Sequence, residues 1–273
     1  MPTLTDNQAD YDAFLRAVEL MNTPSLTAKL ANLVGAPLEA LLRKLSPGMR
    51  HKINDAVVAA LGKAADTALW TMDDKPGSGA STVLHKIGAA ASGAVGGFFG
   101  FGALLVELPV AVTIMMRAVA DVARAEGFSL ADMETRAGCV LVFGMDSDED
   151  AMPGQQYFAA REALRTILGL TAAELSSNIA ARGVRAVTAQ EAASLLAKLI
   201  EAVAARLGIA LTEKVAAQLV PVVGALTGAA INALFTDHYQ DMAKAYFVLK
   251  RLEQRYGEAA IRQAMANLAP QAA

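Results

Sequence analysis

The chain contains a single cysteine, Cys139. No disulfide can form within it, which excludes a cross-linked extracellular scaffold and leaves a reducing compartment as the expected home. Cys139 stands in an apolar run, Ala-Gly-Cys-Val-Leu-Val-Phe-Gly, with no local base. It therefore reads as a small buried hydrophobe and not as a reactive thiol. Aromatic residues are scarce at 5%, and no stretch alternates between apolar and polar with period two. That removes the strand signal. Charged residues make up 19%, below the usual quarter or so. Basic residues are not in excess: 24 Lys and Arg face 27 Asp and Glu, for a net charge of −3. This excludes the basic face that nucleic acid requires and disfavours simple electrostatic attachment to anionic lipid heads. Three histidines, His51, His85 and His238, fall at unrelated positions without metal-ligand spacing, so no metal is expected. There is no Gly-x-Ser-x-Gly, no phosphate-binding loop and no dinucleotide fingerprint, so no cofactor is expected either. The first residues, Met-Pro-Thr-Leu-Thr-Asp-Asn-Gln-Ala-Asp, lack the basic region and apolar core of a secretory signal. The expected location is the cytoplasm, or the inner face of the cytoplasmic membrane.

What is abundant is apolar surface. Hydrophobic residues reach 54% of 273 residues, and the mean hydropathy is +0.35. The thirty residues from Ile87 to Met116 carry one formal charge, Glu107. A helix needs about 20 apolar residues to cross a bilayer, so this run is long enough to span. A second run, Val215 to Phe235, has no formal charge in its 21 residues. Pro221 inside it kinks a helix or marks its true start.

Alanine is plentiful, and apolar residues recur at helical spacing, so the fold class is all-α. The expected architecture is one multi-helix domain with two central Gly-rich apolar helical segments. Helices are predicted over Gln8–Met21, Leu38–Leu45, Pro47–Thr71 and Thr82–Gly102, then from Pro109 to Glu126. Ser129, with Asp132 three residues on, predicts the cap of a helix ending near Phe143. Asp146 to Gly154 reads as a solvated acidic loop, without the spaced ligands of a calcium loop. Further helices are predicted over Gln155–Leu168, Thr171–Arg182, Thr188–Leu207 and Glu258–Leu268. Before the last of these, Phe235, Tyr239, Met242, Tyr246 and Leu249 share one helix face. His238, Asp241, Lys244 and Lys250 are expected on the polar face. The expected organisation is an N-terminal extension over 1–45, a main domain over 46–257, and a terminal helix and tail over 258–273.

Glycines repeat at spacing four: Gly93 and Gly97, Gly96 and Gly100, Gly224 and Gly228 with Asn232 following. Such residues lie on one helix face and let a second backbone approach closely. Each glycine costs about 1 kcal/mol against alanine within a helix, so tight packing must offset it. Asn232 is placed to bond across to a neighbouring helix.

Glu107 is the leading polar candidate. A lone carboxylate in apolar surroundings is costly unless paired or protonated. Two residues before Pro109, it is expected to cap a helix start. Arg117 and Asp121 are four apart and predict an ion pair. His238, beside Asp237, is a candidate acid–base group if Glu107 serves a hydrolase, although no nucleophile accompanies them. An apolar ligand or membrane would meet Phe98, Phe99, Phe101, Leu104, Leu105 and Phe235.

Taken together, Glu107-Leu-Pro109, the helix with Arg117 and Asp121, the run into Asn232 and Phe235, and the closing residues Ala243, Tyr246, Phe247, Arg251, Leu252, Glu253 and Tyr256-Gly257 form a pattern. In order and spacing it resembles the EcsC family of bacterial proteins over roughly Leu45 to Gly257. The resemblance implies a neighbourhood of membrane transport proteins and supplies no catalytic residues. The expectation is a non-enzymatic helical protein that associates with a membrane or holds a lipid-like molecule. Its role would lie in membrane transport or envelope homeostasis. The alternatives are a hydrolase using Glu107 with His238 or Asp237, and a soluble interaction scaffold.

Overall fold

A computed structural model describes residues 3–35, 42–43, 45–72, 74–77, 79, 100–146, 152, 154–168, 189–218 and 224–268. Among these residues a 3-10 turn, Leu4–Asp6, precedes nine α-helices, and there is no strand. The helices are α1 (Gln8–Met21), α2 (Leu26–Val34), α3 (Pro47–Thr71), α4 (Gly100–Ala125) and α5 (Met133–Val142). They continue as α6 (Gln155–Leu168), α7 (Ala189–Gln218), α8 (Gly224–Tyr256) and α9 (Glu258–Leu268). The segments predicted as helical over 82–99 and 171–182 lie outside the described residues. So do Gly93, Gly96, Gly97 and most of the helix predicted over 38–45.

Local chemistry sets the ends. The Asn7 side chain accepts from the Asp10 N–H at 3.2 Å and opens α1. Ser46 accepts from the Met49 N–H at 3.3 Å and opens α3, with Pro47 supplying a preset first turn. The end of α4 turns on Gly127 at φ 91°, which lets the Phe128 N–H return to the Ala123 carbonyl at 3.0 Å. This is the left-handed helix stop that glycine permits.

Four expectations are corrected here. Pro109 does not begin a helix; it lies inside α4, which starts by Gly100. A proline interrupts the helical hydrogen bonding. Here the apolar face continues through it: Leu108, Ala111, Val112, Met115, Met116 and Val119 are all buried. Burying such side chains is worth about 1.5–3 kcal/mol each for the larger ones, which outweighs the proline cost of about 3 kcal/mol. Second, Ser129 does not cap α5. The helix begins one turn later at Met133, because Asp74 takes the Ser129 hydroxyl and the Leu130 and Ala131 N–H groups. Third, the helix predicted over Thr188–Leu207 does not stop at Leu207: α7 runs on to Gln218, because Leu211, Val215, Ala216 and Ala217 continue its buried face. Fourth, α8 has no solvated side at His238 or Lys250, both of which are buried.

Burial on several sides follows from where α8 lies. It packs against α1, α2, α4, α5, α7 and α9. Phe235, Tyr239, Met242, Tyr246 and Leu249 are all within the core. Around this axis α3 lies along α4, and α7 closes on α3. Gly138 of α5 meets α8 closely enough that an added Cβ would stand 3.0 Å from the Tyr246 ring. The N-terminal helix belongs to the same packing: Asp10 of α1 accepts from Arg251, Arg255 and Tyr256 at the end of α8. Among the described residues no helix is long and apolar enough to cross a membrane.

Candidate functional site

The centre of interest is the one charge of the long apolar run. Glu107 lies on the second turn of α4, and its side chain is 5% exposed. It caps no helix, and Pro109 sets no boundary beside it. Its Oε1 accepts from Asn232 Nδ2 of α8 at 2.6 Å and stands 3.3 Å from Lys214 Nζ of α7. Three helices thus send one polar group each to one buried point. Thr236 donates to the Asn232 carbonyl at 2.9 Å, tying the next turn of α8 to the cluster. The Phe235 ring lies below the ammonium, 5.9 Å from Nζ, so Phe235 is a core residue facing the cation. Burial pulls the Lys214 amine below the ordinary lysine range, and the Glu107 charge beside it works the other way. Glu107 Oε2 is buried and has no hydrogen-bond partner among the described residues.

A second buried network lies between α5, α6 and α8. Arg161 gives one hydrogen bond to Glu134 and one to Glu253, both at 2.8 Å. Lys250 Nζ is 3.0 Å from the same Glu134 oxygen and 4.8 Å above the Phe128 ring. The Tyr157 hydroxyl donates to Glu253. Burial drives the Tyr157 and Tyr246 phenols well above their usual range. They and the carboxylates of this network serve packing, because every charge meets an opposite charge at contact distance.

His238 belongs to neither network. It is buried, 3.5 Å from Asp146 Oδ1, and Asp146 also accepts from the Leu26 N–H that opens α2 at 3.0 Å. Asp146 is therefore a structural acceptor, not a purely solvated loop residue as expected. Burial pushes the His238 imidazole down to about 3, helped by the Lys29 charge. On α8 it follows Asn232 by six residues, about 9 Å along the axis and off its face. The Glu107–His238 pairing needed for a hydrolase is not formed. Asp237 is only half-buried on the same helix. Asp121 is buried and pairs with Arg124, three residues on. Arg117, the partner expected from the sequence, is half-buried one turn earlier. Phe98 and Phe99 lie outside the described residues, while Phe101, Leu104 and Leu105 stand on the first turns of α4.

The structure thus joins two residues singled out from the sequence, Glu107 and Asn232, and separates them from His238. It adds Lys214, which sequence reasoning missed. The available signal was its position as the last charge before the charge-free run. Cys139 is buried, and its thiol is pushed up to about 12 by burial, which keeps it an inert hydrophobe. Among the described residues no group of acidic, histidine and cysteine side chains could hold a metal ion.

No curated protein and no solved structure is significantly similar to the chain. The EcsC protein family matches residues 19–252, which takes in α2 to α7, most of α8, and the Glu107, Lys214 and Asn232 cluster. The order of its motifs, the all-helical fold and this match over most of the length agree, and the chain belongs to the EcsC protein family.

Proposed function

We propose that the protein is a non-enzymatic helical module that meets a membrane, or holds a lipid-like molecule, through the Ile87–Met116 run at the inner face of the cytoplasmic membrane. One observation carries this reading. The only charge in the run is withdrawn from the surface, paired inside with Lys214 and hydrogen-bonded by Asn232. A carboxylate left outside would forbid contact with hydrocarbon at a cost of several kcal/mol. With Glu107 turned inward, the outward residue of α4 at this level is Val110, 51% exposed. Contact of this kind is interfacial for the described part of α4, since no described helix spans. A membrane transport protein is the partner class that fits such a location.

The geometry gives the hydrolase alternative little support, because Glu107 is fixed by a cation and an amide and stands apart from His238. Flotation of the purified protein with phosphatidylcholine vesicles tests the proposal. The protein is expected to rise with the vesicles and to stay with them in about 0.5 M salt, because an apolar contact is not screened. Protein that remains at the bottom of the gradient would leave the soluble scaffold as the better reading.

A further inference from the structure

A cleft of about 230 Å³ opens between α6 and α9, away from the Glu107 cluster. Phe158, Arg161, Glu162 and Arg165 reach it from one face of α6, spaced at helical intervals. Glu258 and Arg262 reach it from α9, and Glu253 of α8 lies at its floor. The two walls are seated on one another. Gly154, just before α6, approaches Met265 of α9 so closely that an added Cβ would fall 1.8 Å from the sulfur.

The floor and the mouth differ in how their charges are used. At the floor, Arg161 holds Glu134 and Glu253 in a buried lattice, and the second Glu253 oxygen takes the Tyr157 hydroxyl. Nothing there is available to a ligand at low cost. At the mouth, Arg165 gives a hydrogen bond to Glu162, and Arg262 gives one to Glu258 at 2.6 Å. Both are exposed pairs within a single helix, a kind that contributes little to stability. A guanidinium has five N–H donors, so each arginine keeps most of its donors while bonded to its own glutamate. Arg262 is also oriented, with its guanidinium carbon 3.7 Å from the centre of the Phe158 ring.

We propose that this cleft binds a phosphate monoester group, bridged between Arg165 and Arg262. The formal charges of the lining cancel, with three arginines against three glutamates. The ligand must therefore displace carboxylates. A phosphate dianion does this better than a second carboxylate, because one group answers two guanidiniums and offers three acceptor oxygens. Glu162 is 57% exposed at its side chain and can swing into water when displaced. A divalent cation is disfavoured, since both mouth carboxylates already face guanidinium charge. The same chemistry is offered by a soluble phosphate and by the head of phosphatidic acid. Half of the mouth comes from α9, beyond the residues 19–252 that the family matches.

The test uses the full chain, calorimetric titration with inorganic phosphate at constant ionic strength, and flotation with vesicles with or without phosphatidic acid. Saturable phosphate binding, or a vesicle-bound fraction raised by phosphatidic acid above that on phosphatidylcholine alone, supports the cleft; the first marks a soluble source and the second a lipid one. In either arm R165Q and R262Q should each weaken binding by about tenfold or more. The double variant E162Q/E258Q should tighten it several-fold, because the competing carboxylates are gone. A residue pair with only a structural role would not give that gain. No saturable response in either arm, arginine variants that bind like the parent, or no gain in E162Q/E258Q would each overturn the proposal. The membrane reading above fails separately, if phosphatidylcholine vesicles without phosphatidic acid do not carry the protein.

Discussion

Lys214 is a fully buried ammonium, and its ionic partner is Glu107 at 3.3 Å. Removing one member of such a pair strands the other in a medium of low polarity, at a cost of about 3–5 kcal/mol. Glu107→Leu and Lys214→Met should each destabilise by that amount in denaturant titrations. The double variant should lie within about 1–2 kcal/mol of the parent, since a buried ion pair replaced by apolar groups is often neutral. Strict additivity would show that the two residues do not act as a pair. His238 makes a different prediction. It is neutral in the folded chain, with its imidazole held at about 3, and it titrates near 6.5 once unfolded. The unfolded state therefore binds the extra proton between these values. The stability His238 contributes is complete above pH 6.5 and is lost as pH falls toward 3. The slope reaches about 1.4 kcal/mol per pH unit at most. Stability measured from about pH 7 to pH 4 should fall less steeply in His238→Gln than in the parent. Parallel curves would place His238 in contact with solvent.

Helix ends governed by neighbours in sequence could be read from the sequence. The start of α1 at Gln8, α3 from Ser46-Pro47, and α9 from Glu258 after Gly257 follow from caps and stops within four residues. The elements that differ are those where a distant group intervenes. Asp74 reaches 55 residues ahead to Ser129 and delays the start of α5. The core face running through Pro109 extends α4 where local rules start a new helix. The polar side assigned to α8 holds at Asp241 and Lys244 but fails at Lys250 for the same reason. Lys250 and Glu253 find Glu134 and Arg161 far away along the chain, and no spacing rule records such partners. The candidate site was legible in two of its three members. Glu107 and Asn232 stand out because polar residues are rare in their surroundings, whereas Lys214 looks like an ordinary helix lysine until the fold brings α7 beside α4. Two contacts between elements can be checked directly. Asp74→Ala should cost about 1 kcal/mol, because of its three donors only the Leu130 N–H belongs to a buried residue and the others can turn to water. Gly138→Val should cost about 1–3 kcal/mol by overpacking Tyr246. Unchanged melting temperatures would show that neither contact supports the fold.

At the scale of the whole molecule, six helices pack around α8, and cations from α6, α7 and α8 itself meet the buried carboxylates Glu107, Glu134 and Glu253. The one charge of the apolar run is then compensated inside, and Val110 of α4 is exposed on the outer side. Membership of the EcsC protein family places this arrangement in a known group without assigning it a reaction. The proposed contact with lipid rests on the inward direction of Glu107 on α4. It is tested most directly by a polarity-sensitive fluorophore on Val110→Cys, since Cys139 is buried and will not be labelled. The account predicts a blue shift and brightening at this position when phosphatidylcholine vesicles are added, and no change for the same label on Ala266→Cys, on the exposed side of α9. A spectrum at position 110 that vesicles leave unchanged would contradict it.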